Sequence, residues 1–206
     1  KFGFLPKLLD IFLNKTLKKK VLIKNHYLVK TDNSYFFKYG VNISNNPFID
    51  VLCSILDISY KDFIAKVLRI LENDKNNVIF TSLRGGDLKT EFKSDKNAFI
   101  EYIKTGKNLE DKILKDIVSK EGLFTKNGIN FYIFEKKNIV VKKEFEKKNI
   151  IEDFNMVCTD YEDEIFKTDK NRMNVLILKE GKLYFPIYKL EKNEKTSTVI
   201  SKKFKF

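Results

Sequence analysis

Apolar residues recur at helical spacing through the first half of the chain and in alternating or unbroken runs through the second. Phe4 to Lys19 carries Leu5, Leu8, Leu9, Phe12 and Leu13 on one stripe, with Lys7, Lys15 and Lys18 outside it, which predicts an amphipathic helix. Lys24 to Val41 is less periodic, and Tyr35-Phe36-Phe37 suits a short strand or a buried turn before Gly40. Asn46-Pro47 marks a helix start, because Asn can cap and Pro fits the first helical position. Phe48, Val51, Leu52, Ile55 and Leu56 continue that helix. Ser59 with Asp62 resembles a capping box opening a second helix with Phe63, Ile64, Val67, Leu68 and Leu71 inside. Short helices are expected over 76–92, interrupted at Gly85-Gly86. Ser94 is the expected cap of a helix carrying Phe99, Tyr102 and Ile103 and stopped by Gly106, and Asn108 that of a helix carrying Ile113, Leu114, Ile117 and Val118.

The period then changes. Ile129 to Phe134 is apolar on both faces and predicts a central strand. A turn at Lys136-Lys137-Asn138 would let Ile139–Val141 pair with it. Phe154–Cys158 and Val175–Leu178 predict strands, and Glu180-Gly181 a hairpin turn into a strand over Leu183–Leu190. Pro186 lacks a ladder donor, so that strand is expected at an edge or bulge. Thr198 to Phe206 alternates Phe204 and Phe206 with Lys203 and Lys205, a half-exposed strand with a basic face. Helices first and a mostly antiparallel sheet second predict an α+β fold. The 206 residues read as a single domain, with possible subdomains at 1–125 and 126–206 that no linker separates. A first residue of Lys rather than Met suggests a fragment of a longer chain.

Composition adds a strong charge. The formal net charge is +12 and 43% of residues are hydrophobic, so a core can form and the surface suits polyanions. Lys, Asn, Ile and Phe are all abundant, as in the product of an AT-rich genome, so lysine bias is a second source of that charge. Arg69, Arg84 and Arg172 are the arginines. No apolar run approaches the roughly 18 residues that span a membrane. Cys53 and Cys158 read as free buried thiols of a reducing compartment.

Candidate chemistry is sparse. His26 is the single histidine and no Gly-x-Ser-x-Gly elbow occurs, so no nucleophile–base pair is assembled. Two Cys and one His are too few for a zinc site, so neither a metal nor a cofactor is expected. Arg84-Gly85-Gly86-Asp87 lacks phosphate-loop spacing and reads as a tight turn. Glu135-Lys136-Lys137 at the end of a strand matches the E-x-K half of a Mg²⁺-dependent nuclease, which also needs a carboxylate on a neighbouring strand. The upstream candidates are Asp116, expected on a helix, and Glu121 just after it. Glu144-Phe145-Glu146-Lys147 shows how easily such spacing arises in a lysine-rich chain.

Phosphate binding needs clustered cations. Lys18-Lys19-Lys20, Lys142-Lys143 and Lys203-Phe204-Lys205-Phe206 give the candidate nucleic-acid-binding residues Lys18, Lys19, Lys20, Lys142, Lys143, Lys203 and Lys205. An ordered set of short motifs spans most of the chain. It runs from Gly3-Phe4-Leu5-Pro6 through Tyr39-Gly40-Val41, Asn46-Pro47-Phe48-Ile49, Cys53, Phe63, Gly86-Asp87-Leu88 and Phe92. It continues with Gly128 to Glu135, Val157-Cys158, Phe166, Asp169, Val175 to Leu178 and Tyr184 to Tyr188. In this the chain resembles a region of the large subunit of the viral early transcription factor, in its giant-virus form. The resemblance implies a non-catalytic domain that binds double-stranded DNA at promoters and recruits viral RNA polymerase. It also implies a small ATPase subunit as partner, and a place in the cytoplasmic virus factory and the virion. A nuclease-fold domain and a protein-docking domain are the alternatives.

Overall fold

A computed structural model describes residues 2–14, 23–24, 27–28, 34–42, 44–106, 109–143, 146–158, 171–192 and 198–204, with backbone alone at 23–24, 27–28, 34, 138–143, 146–152, 158, 192 and 198–199. The fold is α+β, with most helices in the first half and most strand residues in the second. The chain forms two units that share the sequence unevenly. The sheet unit takes 1–41, 132–158 and 175–204, and the helical unit takes 42–131, 159–174 and 205–206. The change of period near residue 125 therefore coincides only roughly with a crossing between units, and the first 41 residues join the sheet.

The sheet is built from β1 (Phe2–Gly3), β4 (Ser34–Tyr39), β5 (Ile129–Lys143), β6 (Glu146–Cys158), β7 (Met173–Glu180), β8 (Leu183–Lys192) and β9 (Thr198–Ser201). The strand order is β1-β4-β8-β7-β5-β6, with β9 also on β8, and a separate ribbon joins β2 (Ile23–Lys24) to β3 (Tyr27–Leu28). Five of its ladders are antiparallel. β5 and β7 run side by side in the same direction, since Asn130 meets Asn174 and Glu135 meets Lys179. β7 is buried at five successive residues, Asn174 to Leu178, as a central strand covered on both faces must be. Helix α1 (Lys7–Asn14) begins only after Pro6, and its Leu9, with Leu5 ahead of the helix, packs with Phe134, Leu176, Leu178, Ile187 and Phe204. Its Asn14 side chain both donates to and accepts from the backbone of Phe36, so it occupies ladder positions on β4. Tyr35 donates to Asp10 at 2.7 Å.

Three strand expectations are corrected. The Lys136-Lys137-Asn138 stretch is no turn: β5 runs through it, paired residue by residue with β6 as far as Val141, with a shift of register before Lys143. Polar residues there sit on a ladder whose hydrogen bonds do not depend on side chains. Pro186 lies in an inner strand, between β4 and β7, rather than at an edge. Pro186 pairs with Ile177 of β7 and lies one residue past Lys38–Ile187, where the β4 ladder on β8 stops, so it has a ladder partner on one side only. The last strand is short, ending at Ser201, and Phe204 is not on an exposed face but buried in the core beside Phe36.

The helical unit contains α2 (Pro47–Leu56), α3 (Tyr60–Asn73), α4 (Val78–Ser82), a 3-10 turn over Leu83–Gly86, α5 (Asp87–Glu91), α6 (Lys96–Thr105) and α7 (Asp111–Ser119). Asn46 caps α2 by accepting from Phe48 and Ile49, with Pro47 in the first turn, and Ser59 caps α3 by accepting from Asp62. Asp95, not Ser94, caps α6; Ser94 has φ 63°, outside the extended geometry of a cap. Glu110 occupies the cap position of α7 without a side-chain bond, and Asn108 lies outside the described residues. Phe48, Phe63, Phe80, Phe99 and Phe131 are fully buried and form the core with Leu71, Leu83, Ile103 and Leu114.

Candidate nucleic-acid interface

A cation can serve the fold or face a ligand, and its partners decide which. Arg172 serves the fold. Its side chain is 10% exposed and donates to the Ser119 carbonyl at 2.6 Å, the Ile129 carbonyl at 3.2 Å and Asn130 Oδ1 at 2.7 Å. Gly128, at φ +77°, makes room for it: a Cβ there would stand 2.4 Å from the Ser119 oxygen and 2.9 Å from the guanidinium carbon. Arg84 is also committed, to Glu91 at 2.8 Å and Glu110 at 3.1 Å. In the sheet unit Lys38 pairs with Glu180, Lys179 with Glu135 and Lys189 with Glu191, and each also lies over an aromatic ring.

Arg69 differs. It sits on the exposed side of α3, and no carboxylate among the described residues pairs with it. Lys61, Lys66 and Lys75 share that condition. The helix explains the arrangement. Phe63, Val67 and Leu71 point inward at zero exposure, Ile64, Lys66, Leu68 and Ile70 lie half-buried on the flanks, and the opposite side is turned out. Lys61, Asp62, Ala65, Arg69 and Glu72 form the exposed stripe.

A groove lies along each flank of α3. One of about 950 Å³ is lined by Lys66, Arg69 and Lys75 together with Asn73, Val78 and Leu123. Its two carboxylates are engaged elsewhere, Asp62 with Ser59 at 2.6 Å and Asp74 with the Phe80 amide at 3.0 Å. Lys66 is fixed by the Phe124 carbonyl at 3.3 Å and lies 4.7 Å from the Phe124 ring. The other groove, about 580 Å³, is lined by Lys61, Tyr60, Ser44, Asn45, Lys104 and Thr105. Lys104 is paired with Glu101 at 2.7 Å, so the cations that the grooves present to a polyanion without a carboxylate partner among the described residues are Lys61, Lys66, Arg69 and Lys75, beside neutral hydrogen-bonding groups.

Of the seven lysines expected from sequence, Lys203 is the one described with its side chain, and it lines neither groove. Lys18, Lys19, Lys20 and Lys205 lie outside the described residues, Lys142 and Lys143 are described in backbone alone at the end of β5, and Lys203 is exposed after β9. Lys66, Arg69 and Lys75 were missed because they do not adjoin in sequence. Their signal was an outward-facing stripe on a capped helix.

Glu135 and Lys137 share one face of β5, and register sets Asp153 of β6 opposite Lys137. That supplies the neighbouring-strand carboxylate which Asp116 does not. Asp116 sits on α7 accepting from the Arg84 amide at 2.9 Å, with burial raising its carboxyl above the usual range. Glu121 lies 3.5 Å from Arg172. Glu135 itself is held by Lys179 at 3.0 Å, where a Mg²⁺ ion would have to displace the ammonium. Among the described residues no three His, Cys, Asp or Glu side chains converge as metal ligands. Burial pushes the Cys53 thiol up to about 11, which makes it a poor nucleophile at neutral pH. No helix among the described residues is long and apolar enough to cross a membrane.

No known protein family and no solved structure matches the chain. A protein of Acanthamoeba polyphaga mimivirus, named as uncharacterized protein R327, is 39% identical over 201 residues. The match takes in 98% of this chain and 13% of that protein. Over nearly its whole length, then, the chain is similar to one segment of a much longer giant-virus protein.

Proposed function

We propose that this chain is a nucleic-acid-binding part of a viral transcription initiation factor, holding duplex DNA through the cations that flank α3. The observation that carries the reading is the groove in which Lys66, Arg69 and Lys75 converge without a carboxylate partner among the described residues. A net charge of +12 supplies long-range attraction to phosphate. Similarity to a giant-virus protein agrees with a viral setting. The recruited partners in this reading are the viral RNA polymerase and a small ATPase subunit, in the host cytoplasm and the virion.

The test is binding of the chain to labelled duplex across a salt series, with and without Mg²⁺. Micromolar or tighter binding that weakens steeply with salt, without cleavage, is the expected result. Absence of binding at low salt would leave a docking role as the better account. Mg²⁺-dependent cleavage that Glu135→Ala abolishes would instead favour a nuclease built on Glu135, Lys137 and Asp153.

A further inference from the structure

α2 and α3 pack against each other and are joined by three residues, Asp57 to Ser59. Asp57 takes the left-handed conformation, φ 58° and ψ 42°, and the Ile58 amide returns to the Cys53 carbonyl at 3.2 Å. Ser59 then caps α3 at once. A tight left-handed break of this length between two packed helices is of the kind that joins the helices of a helix–turn–helix, and also those of an αα-hairpin. In the helix–turn–helix the second helix enters the major groove of duplex DNA and the residues of its N-terminal part reach base edges.

Several features of α3 suit that role. It has 14 residues, about 21 Å of helix, enough to cross a groove about 12 Å wide. Its outward stripe carries Lys61, Ala65 and Arg69 at successive four-residue steps, so three side chains share one line. Ala65 lets the helix approach closely and suits a thymine methyl, while Lys61 and Arg69 are donors for guanine O6 and N7. The depressions on both flanks leave room for the two backbones that wall a major groove, with Lys66 and Lys75 on one side and the neutral Ser44, Asn45 and Thr105 on the other, where Lys104 is paired with Glu101.

We infer that α2, its turn and α3 are a helix–turn–helix in which Lys61, Ala65 and Arg69 read base edges in the major groove, while Lys66 and Lys75 hold phosphates. This rests on the reading that the chain binds nucleic acid, and adds that it binds a duplex by sequence.

The experiment is enrichment of duplexes from a randomised library by the whole chain and three variants. The wild type is expected to enrich a defined motif. Lys61→Gln with Arg69→Gln, both on exposed helix positions, should lower affinity for that motif about 10-fold or more per lost base contact and change the enriched sequence. Ala65→Glu should abolish motif binding through bulk and charge at the contact line. Lys75→Gln should weaken all duplexes alike and leave the motif unaltered. Binding to duplex without any enriched motif would overturn the inference and leave the phosphate-binding reading standing. So would a motif that neither α3 variant changes, or a preference for single strands or RNA. No binding at all would overturn both.

Discussion

Three lysines of the sheet unit and the cations around α3 in the helical unit are placed in opposite ways. In the sheet unit, Lys38, Lys179 and Lys189 each touch a carboxylate and an aromatic ring, so their charge is largely spent inside the surface. In the helical unit, α3 and the turn after it hold Lys61, Lys66, Arg69 and Lys75 with no carboxylate partner among the described residues. Net charge alone therefore does not locate an interface. A chain enriched in lysine by codon bias carries cations everywhere, and the informative ones are those the fold leaves uncompensated beside a groove.

The contrast can be broken within the helical unit first, because Arg172 is a cation there with a structural duty. Arg172→Met leaves the carbonyls of Ser119 and Ile129 buried without their donor. Stability should fall by about 3 kcal/mol or more in urea denaturation. A loss below about 1 kcal/mol would mean that water replaces the guanidinium.

Asn46→Ala is next. It removes the cap of α2 and a buried donation to the Leu109 carbonyl, and should cost about 1–2 kcal/mol by the same measurement. Lys38→Ala in the sheet unit should cost under about 1 kcal/mol, since the pair with Glu180 is roughly a quarter exposed at both ends. Duplex affinity should hardly change. A loss equal to that of an α3 variant would end the distinction between the units.

The smallest effect is a pH dependence. Burial raises the Asp116 carboxyl, so the folded state prefers its neutral form, and the stability tied to that form is present below the ordinary carboxylate range and lost as pH rises through the folded value. Asp116→Asn keeps an acceptor for the Arg84 amide without titrating. It should therefore remove part of the stability decline seen on raising pH from about 4 to 7. Identical pH profiles for both proteins would contradict the stated cause.

Local signals in the sequence were legible where one side chain settles the backbone. Asn46-Pro47 and Ser59 mark helix starts that the structure keeps, and Gly106 ends α6 in the left-handed conformation. Signals that depend on a partner strand were not. Lys136-Lys137-Asn138 looks like a turn because polarity is the usual mark of one, yet β6 supplies every residue of that stretch with a partner. Pro186 looked like an edge residue because nothing in the sequence tells where the β4 ladder ends.

The same limit hid the site. Runs such as Lys18-Lys19-Lys20 draw attention along the chain, whereas Lys66 and Lys75 converge only once α3 has ended at Asn73 and the chain has turned back. The opposition of Asp153 and Lys137 is likewise a matter of register, invisible from spacing.

The central claim is that the cations beside α3, and not those of the sheet, bind duplex. Its most direct test is the slope of log affinity against log salt for three proteins: wild type, Lys66→Gln with Lys75→Gln, and Lys38→Gln with Lys189→Gln. The account predicts that the α3-side pair shallows the slope by about one unit per lost phosphate contact, while the sheet pair leaves it as in the wild type. An unchanged slope in the α3-side pair, or an equal loss in both, would contradict it.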